Sequence, residues 1–103
     1  MNFLIQLLLP LNDNDGKQFP GAKYEKVKKV FIDKFGGVTI YRNTPAEGSW
    51  SDSTGEVCRD YVLIFEVMTS KLDKEWWLKF REQLEHEFSR EKIISRAVEY
   101  KEL

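Results

Sequence analysis

Three polar residues, Gln6, Glu66 and Arg96, stand among apolar residues in segments that alternate with the period of a β-strand. A carboxylate close to aromatic side chains in an apolar setting can have a raised pKa and act as a general base. An arginine beside it can hold an anion. The same three side chains can instead form a satisfied polar network that sets the register of a dimer, which is the commoner use of such groups.

Further residues complete the candidate site. Glu66 or Asp60 is the candidate catalytic base, and Arg96 or Arg42 is the candidate anion clamp. The predicted ligand-binding residues have side chains that stack or form hydrogen bonds: Gln6, Tyr41, Arg42, Trp50, Arg96 and Tyr100. Trp50 stands alone in a polar stretch, which predicts an anchor for the loop, a contact with a partner subunit or a lid over a ligand.

The remaining motifs give little support to other chemistry. The run NDNDG at residues 12–16 resembles the start of a calcium loop, but Ala22 stands where a bidentate glutamate is needed. The single histidine, His86, has no partner at metal-ligand spacing. Cys58 has no neighbouring histidine that would make it a nucleophile. We therefore expect neither a metal nor a cofactor.

Hydrophobic periodicity and turn signals predict six elements. Strands are predicted at residues 2–9, 38–42, about 56–68 and 92–100. Helices are predicted at residues 22–35, ended by Gly36 and Gly37, and from the start signal at Ser70 and Asp73 to about residue 90. Residues 43–55 are polar and predict a long hairpin loop.

The order β-α-β-β-α-β predicts an α+β protein: a ferredoxin-like sandwich that forms a single domain over residues 1–103. Its four-stranded antiparallel sheet has the strand order 4-1-3-2, and two helices cover one face. Because a carboxylate is costly under packed helices, we assign Glu66 to the uncovered face. Gln6 and Arg96 share that face and can form one cross-strand row with Glu66. In the second strand the same side carries Thr39, Tyr41 and Asn43.

The uncovered face remains largely apolar, which predicts that it associates with a partner. A symmetric homodimer is the simplest solution. The formal charge of −1 lacks the basic excess of nucleic-acid-binding proteins, so no nucleic acid is expected. No apolar run approaches the length of a membrane span, and the N-terminal segment lacks the features of a signal peptide. We expect a cytoplasmic protein.

The run FGGVTIYRNTPAEGSW, followed by a charged strand and DKEWW, resembles small uncharacterised bacterial proteins of about this length. This resemblance implies no activity and no site residue. The element order is also similar to that of the dimeric α+β barrel proteins, which pair sheet to sheet. That group includes small monooxygenases, isomerases and plain ligand binders, so the topology does not select one function.

These observations predict a homodimeric ligand-binding or interaction module with a small-molecule ligand. The alternative is a small cofactor-free enzyme of the lyase, isomerase or monooxygenase type, with a carboxylate base. Binding of single-stranded RNA through sheet aromatics is a third reading, and the neutral charge argues against it.

Overall fold

The computed structural model describes the backbone of residues 1–103 and the side chains of residues 1–42 and 45–103. It contains two helices and an antiparallel sheet, an α+β fold. In chain order the elements are β1 (Asn2–Pro10), α1 (Gly21–Phe35), β2 (Thr39–Ser51), β3 (Val57–Thr69), α2 (Lys74–Glu87) and β4 (Ile94–Tyr100). The side chain of Asn43, predicted to lie on the uncovered face, is outside the described residues.

The sheet has the order β2-β3-β1-β4. A register shift between Tyr41 and Ala46 divides β2 into two parts, each of which pairs with β3. The sheet therefore consists of five strand segments: the two parts of β2 and the strands β1, β3 and β4. The prediction of a short second strand and a loop over residues 43–55 is therefore wrong, because β2 continues to Ser51 and only residues 52–56 connect it to β3. Pro45 lies in the shifted stretch, where a residue without an N–H interrupts no regular pairing.

The core lies between the sheet and the two helices. Along β3, Leu63, Phe65 and Val67 are buried, whereas the alternating residues on the other side remain partly accessible. Phe31 of α1 is fully buried at the centre of the core. Its ring centroid lies 5.6 Å from the centroids of both Trp77 and Phe80 and 6.4 Å from that of Phe65. Burial of these aromatic rings holds both helices against one face of the sheet.

Local signals set the helix ends. Gly36 has φ 82°, a left-handed conformation, and its N–H donates to the carbonyl of Ile32, which ends α1. Asp73 precedes α2, and its side chain accepts a hydrogen bond of 3.1 Å from the N–H of Trp76. The second helix ends at Glu87, a few residues before the predicted end.

The β2–β3 ribbon extends beyond the rest of the sheet. Residues 46–51 pair with β3, whereas the pairing of β3 with β1 ends at Val62 and Pro10. The two-stranded part, residues 46–61, is called the arm below. The radius of gyration is 14.2 Å, compared with about 12.8 Å for a compact chain of this length. The protruding arm accounts for the elongated shape.

Candidate functional site

A hydrogen-bonded row of polar side chains crosses the uncovered face of the sheet. Gln6 pairs with Glu66 on one side and with Arg96 on the other. Its Nε2 donates to Oε1 of Glu66 at 2.7 Å, and its Oε1 accepts from Nε of Arg96 at 2.8 Å. The predicted cross-strand row is confirmed. One neutral amide joins a carboxylate to a guanidinium, so the opposite charges lie on either side of β1.

Tyr41 extends the row towards β2. It pairs with Ile64, the residue two places before Glu66 in β3. A hydrogen bond to Glu66, together with the negative charge of that carboxylate, raises the pKa of the Tyr41 phenol. The four residues Tyr41, Glu66, Gln6 and Arg96 are called the polar row below.

Two apolar rows flank the polar row, one on each side along the strands. On one side Leu8 pairs with Ile64 and Ile94. On the other side Leu4 pairs with Met68 and Val98. The period of two places all these residues on the same face as the polar row. The row of Leu8 continues into a cleft, whereas the row of Leu4 lies open.

The cleft has a volume of about 730 Å³ and lies on the uncovered face, between the arm and the start of β4. Apolar side chains of the sheet form its floor, with Trp50 on the arm side and Arg96 on the β4 side. The lining residues are Leu8, Pro10, residues 46–50, Asp60, Val62, Ile64, residues 90–94 and Arg96. An aromatic wall and a charged wall over an apolar floor suit a small ligand that carries both a ring and a polar group.

Asp60 is held in an ion pair at the edge of this cleft. Its Oδ2 lies 3.5 Å from Nε of Arg90, and both side chains are only 18% exposed. Arg90 also donates to Oδ1 of Asn14 at 2.6 Å and to the carbonyl of Asn12. These contacts tie the first loop of the chain to the arm. Asp60 therefore lines the cleft with a structural partner, whereas Glu66 accepts a hydrogen bond from Gln6 and does not line the cleft.

Tyr24 of α1 holds one end of the cleft floor in place through a hydrogen bond to β1. Its hydroxyl donates to the carbonyl of Pro10 at 2.6 Å, and Pro10 lines the cleft. Burial raises the pKa of Tyr24 from 10.0 to about 12, since the charged phenolate would lose its hydration there. No local pattern signals this role, because Tyr24 fits the apolar stripe of α1.

The structure separates two of the predicted ligand-binding residues from the others. Arg42 follows the last regular pair before the register shift in β2, and its Nη2 lies 3.3 Å from Oε1 of Glu25 on α1. Tyr100 lies at the far end of β4, opposite Asn2. By contrast, Gln6, Tyr41 and Arg96 lie in the polar row and Trp50 lines the cleft. The structure therefore does not bring Arg42 and Tyr100 together with the other four predicted residues.

A second hollow, of about 360 Å³, lies between α2 and β4 and is lined in part by Trp77, Arg81 and Arg96. Its lining includes no carboxylate, which makes it a poorer candidate for acid–base chemistry. Burial is the main cause that raises the pKa of the Cys58 thiol, with Asp52 contributing as a hydrogen-bond partner at 3.7 Å. A thiol held in its protonated form is a weak nucleophile.

Two other kinds of feature are absent from the described residues. Among them, no group of three or more His, Cys, Asp and Glu side chains is arranged to hold a metal ion. Neither helix in the described part of the chain is long and apolar enough to cross a membrane.

Comparison with known proteins gives a structural neighbour and no sequence family. No protein-family model matches the chain, and no curated protein matches its sequence. The resemblance to small bacterial proteins therefore has no support from these comparisons. Among solved structures, the chain is similar to a phage SAM lyase in complex with S-methyl-5'-thioadenosine, with a TM-score of 0.65. The likeness covers 95% of this chain and 81% of the lyase at 15% identity, and at that identity it shows a shared α+β fold.

Proposed function

We propose that this chain is a small-molecule-binding module and that the cleft between the arm and β4 is its binding site. The single observation that carries the proposal is the make-up of the cleft: an apolar floor, the Trp50 ring on one wall and the Arg96 guanidinium on the other. Its volume of about 730 Å³ lies within the range of small-molecule sites. Trp50 is 50% exposed, so its ring is available for stacking.

The first ligand class to test is a purine nucleoside. A planar base can stack on Trp50 at little conformational cost, while the ribose and its substituent reach towards the charged wall. The structural neighbour holds S-methyl-5'-thioadenosine, which supports this choice of probe. Both that nucleoside and SAM should be tested, because the sulfonium cation of SAM would also be attracted to aromatic faces.

The test is a calorimetric titration of the purified protein with S-methyl-5'-thioadenosine and, separately, with SAM. We expect Trp50→Ala to weaken binding about tenfold or more, from the loss of one stacking partner worth about 1–3 kcal/mol. Tyr61→Ala is the matched control, since Tyr61 is an exposed aromatic residue of the arm that does not line the cleft. Equal effects of both substitutions, or no binding of either probe, would refute the proposal.

A second candidate function is a cofactor-free lyase with Glu66 as its base. The observation that favours it is the hydrogen-bonded row that sets the Glu66 carboxylate beside the Gln6 amide, at 2.7 Å, with the Arg96 guanidinium on the far side of that amide. The fold likeness to a SAM lyase is consistent with this alternative. Release of S-methyl-5'-thioadenosine from SAM, measured by chromatography, would support it. Glu66→Gln should then abolish turnover and leave nucleoside binding within about threefold.

We propose a single ferredoxin-like domain over residues 1–103 that acts in the cytoplasm as a homodimer. The open apolar row of Leu4, Met68 and Val98 supports self-association, because a monomer that exposes such a surface tends to associate.

A further inference from the structure

The exposed surface of this chain is larger than a compact monomer requires. The accessible surface is 7319 Å², whereas a monomer of 12.2 kDa has about 6,100 Å². The excess of about 1,200 Å² is larger than the roughly 800 Å² that each partner buries in a standard protein interface. The uncovered face and the arm carry much of the exposed apolar area, including Trp50, Met68, Ile94 and Val98. A second copy of the chain is an occupant of matching size.

The polar row has the charge pattern of a self-complementary surface. Arg96 and Glu66 lie on opposite sides of Gln6, one strand away in each direction. Two facing sheets related by a two-fold axis have that axis in the plane between them. Strands remain aligned when the axis is either parallel to β1 or perpendicular to it along the row.

The charges distinguish these two orientations. A perpendicular axis through Gln6 would place Arg96 against the partner subunit's Arg96 and Glu66 against the partner subunit's Glu66. Like charges facing each other in an interface are destabilising. An axis parallel to β1 exchanges the two sides of the row, so Arg96 faces the partner subunit's Glu66 twice in one dimer. The same axis places Leu4 against the partner subunit's Leu4, and Leu8 against the partner subunit's Leu8.

We propose that two copies of this chain pack face to face about a two-fold axis that runs parallel to β1 past Gln6. This inference deepens the proposed function and rests on the homodimer proposed there, because the partner then contributes to the binding site. The partner subunit's Glu66 lies beside Arg96 at the charged wall of the cleft. Each arm reaches over the β4 side of the other copy, which encloses the open cleft between the two subunits.

Single-cysteine crosslinking tests the axis directly. In a Cys58→Ser background, Leu4→Cys and Leu8→Cys are prepared separately and treated with a bis-maleimide that spans about 10 Å, the usual separation of packed sheets. A parallel axis predicts that each variant crosslinks to itself and that the mixture gives no additional product between positions 4 and 8. A perpendicular axis predicts crosslinks only in the mixture. That result, or no crosslink in any sample, overturns the proposal.

Association is measured independently by sedimentation equilibrium at micromolar concentration without ligand. We expect a mass twice that of the chain. Glu66→Arg should weaken association at least tenfold, whereas Glu99→Arg, an equal charge change on the other side of β4, should change it less than threefold. Mixing the Glu66→Arg chain with an Arg96→Glu chain should restore dimers. This rescue reports contacts between chains, because mixing cannot repair the row within either chain. A monomer for the unaltered protein, or no rescue in the mixture, overturns the proposal.

The two proposals fail in different ways. A monomer that binds the nucleoside contradicts the dimer and leaves the ligand-binding function standing. A parallel dimer that binds neither probe contradicts the ligand-binding function and leaves the interface standing. Circular dichroism of each variant before these measurements establishes that its fold is retained.

Discussion

Tyr24→Phe removes one hydroxyl from beneath the cleft floor and leaves the ring in place. Tyr24 is 6% exposed, and its hydroxyl donates to the carbonyl of Pro10 at 2.6 Å. Its ring also packs against Phe65 and Phe88, at centroid distances of 6.3 and 5.7 Å. Phenylalanine keeps these ring contacts, so the change isolates the hydroxyl and its hydrogen bond.

The expected cost at pH 7 is about 1–2 kcal/mol of unfolding free energy, because the substitution leaves the buried Pro10 carbonyl without its short hydrogen bond. A second effect appears at high pH. The pKa of Tyr24 is raised from 10.0 to about 12, so the folded protein holds this proton more tightly than the unfolded chain. The associated stability is fully present below pH 10 and is lost as the pH rises towards 12.

The assay is urea unfolding of the unaltered protein and of the Tyr24→Phe variant at pH 7, 10 and 11, with tryptophan fluorescence as the signal of unfolding. By pH 11 the protein with Tyr24 should lose on the order of 1 kcal/mol through this group, whereas the Tyr24→Phe variant loses nothing through it. The stability difference between the two should therefore shrink or vanish. Other alkaline titrations occur in both proteins and cancel. Tyr61→Phe, at an exposed position, should show neither effect. Equal stability of both proteins at pH 7, or a constant difference up to pH 11, would refute the reasoning.

Three further predictions concern stability, each measured by urea unfolding at neutral pH. Phe31→Ala should destabilise the protein by about 3–5 kcal/mol, because it empties the fully buried centre of the aromatic core; a cost below about 1 kcal/mol would contradict the described packing. Gly36→Ala should cost about 1 kcal/mol, since φ is 82° there, whereas Gly37→Ala, where φ is not left-handed and no atom is close, should be nearly neutral. Asp73→Ala should cost about 1 kcal/mol through loss of the helix cap, and an unchanged midpoint would show that the cap contributes nothing.

Local sequence patterns predicted where the strands lie and which face of the sheet each side chain occupies. In β3 the alternation of apolar residues, combined with the cost of burying Glu66 under helices, predicted which side the helices cover. The row of Gln6, Glu66 and Arg96 then followed from pairing alone, because side chains at matched registers on one face must be neighbours.

The long second strand was not predictable from local patterns. Residues 43–51 include Pro45 and Gly48, which are unfavourable in strands and typical of loops. They nevertheless belong to a strand that pairs with β3, because a long apolar partner strand offers backbone hydrogen bonds that the local sequence does not reveal. Arg42, which adjoins the register shift in this strand, contacts Glu25 of α1 and takes no part in the polar row.

By itself, the sequence determined the order of the elements, the capping of α1 at Gly36 and the apolar face that bears a polar row. Each of these depends on residues that are close in the chain or on the fixed period of a strand. Only the tertiary structure decided where the cleft lies, because it is built from residues 46–50 on one wall and from residues 90–94 and Arg96 on the other. Those segments are brought together by strand pairing and by the Asp60–Arg90 ion pair, and no local pattern specifies the distance between them.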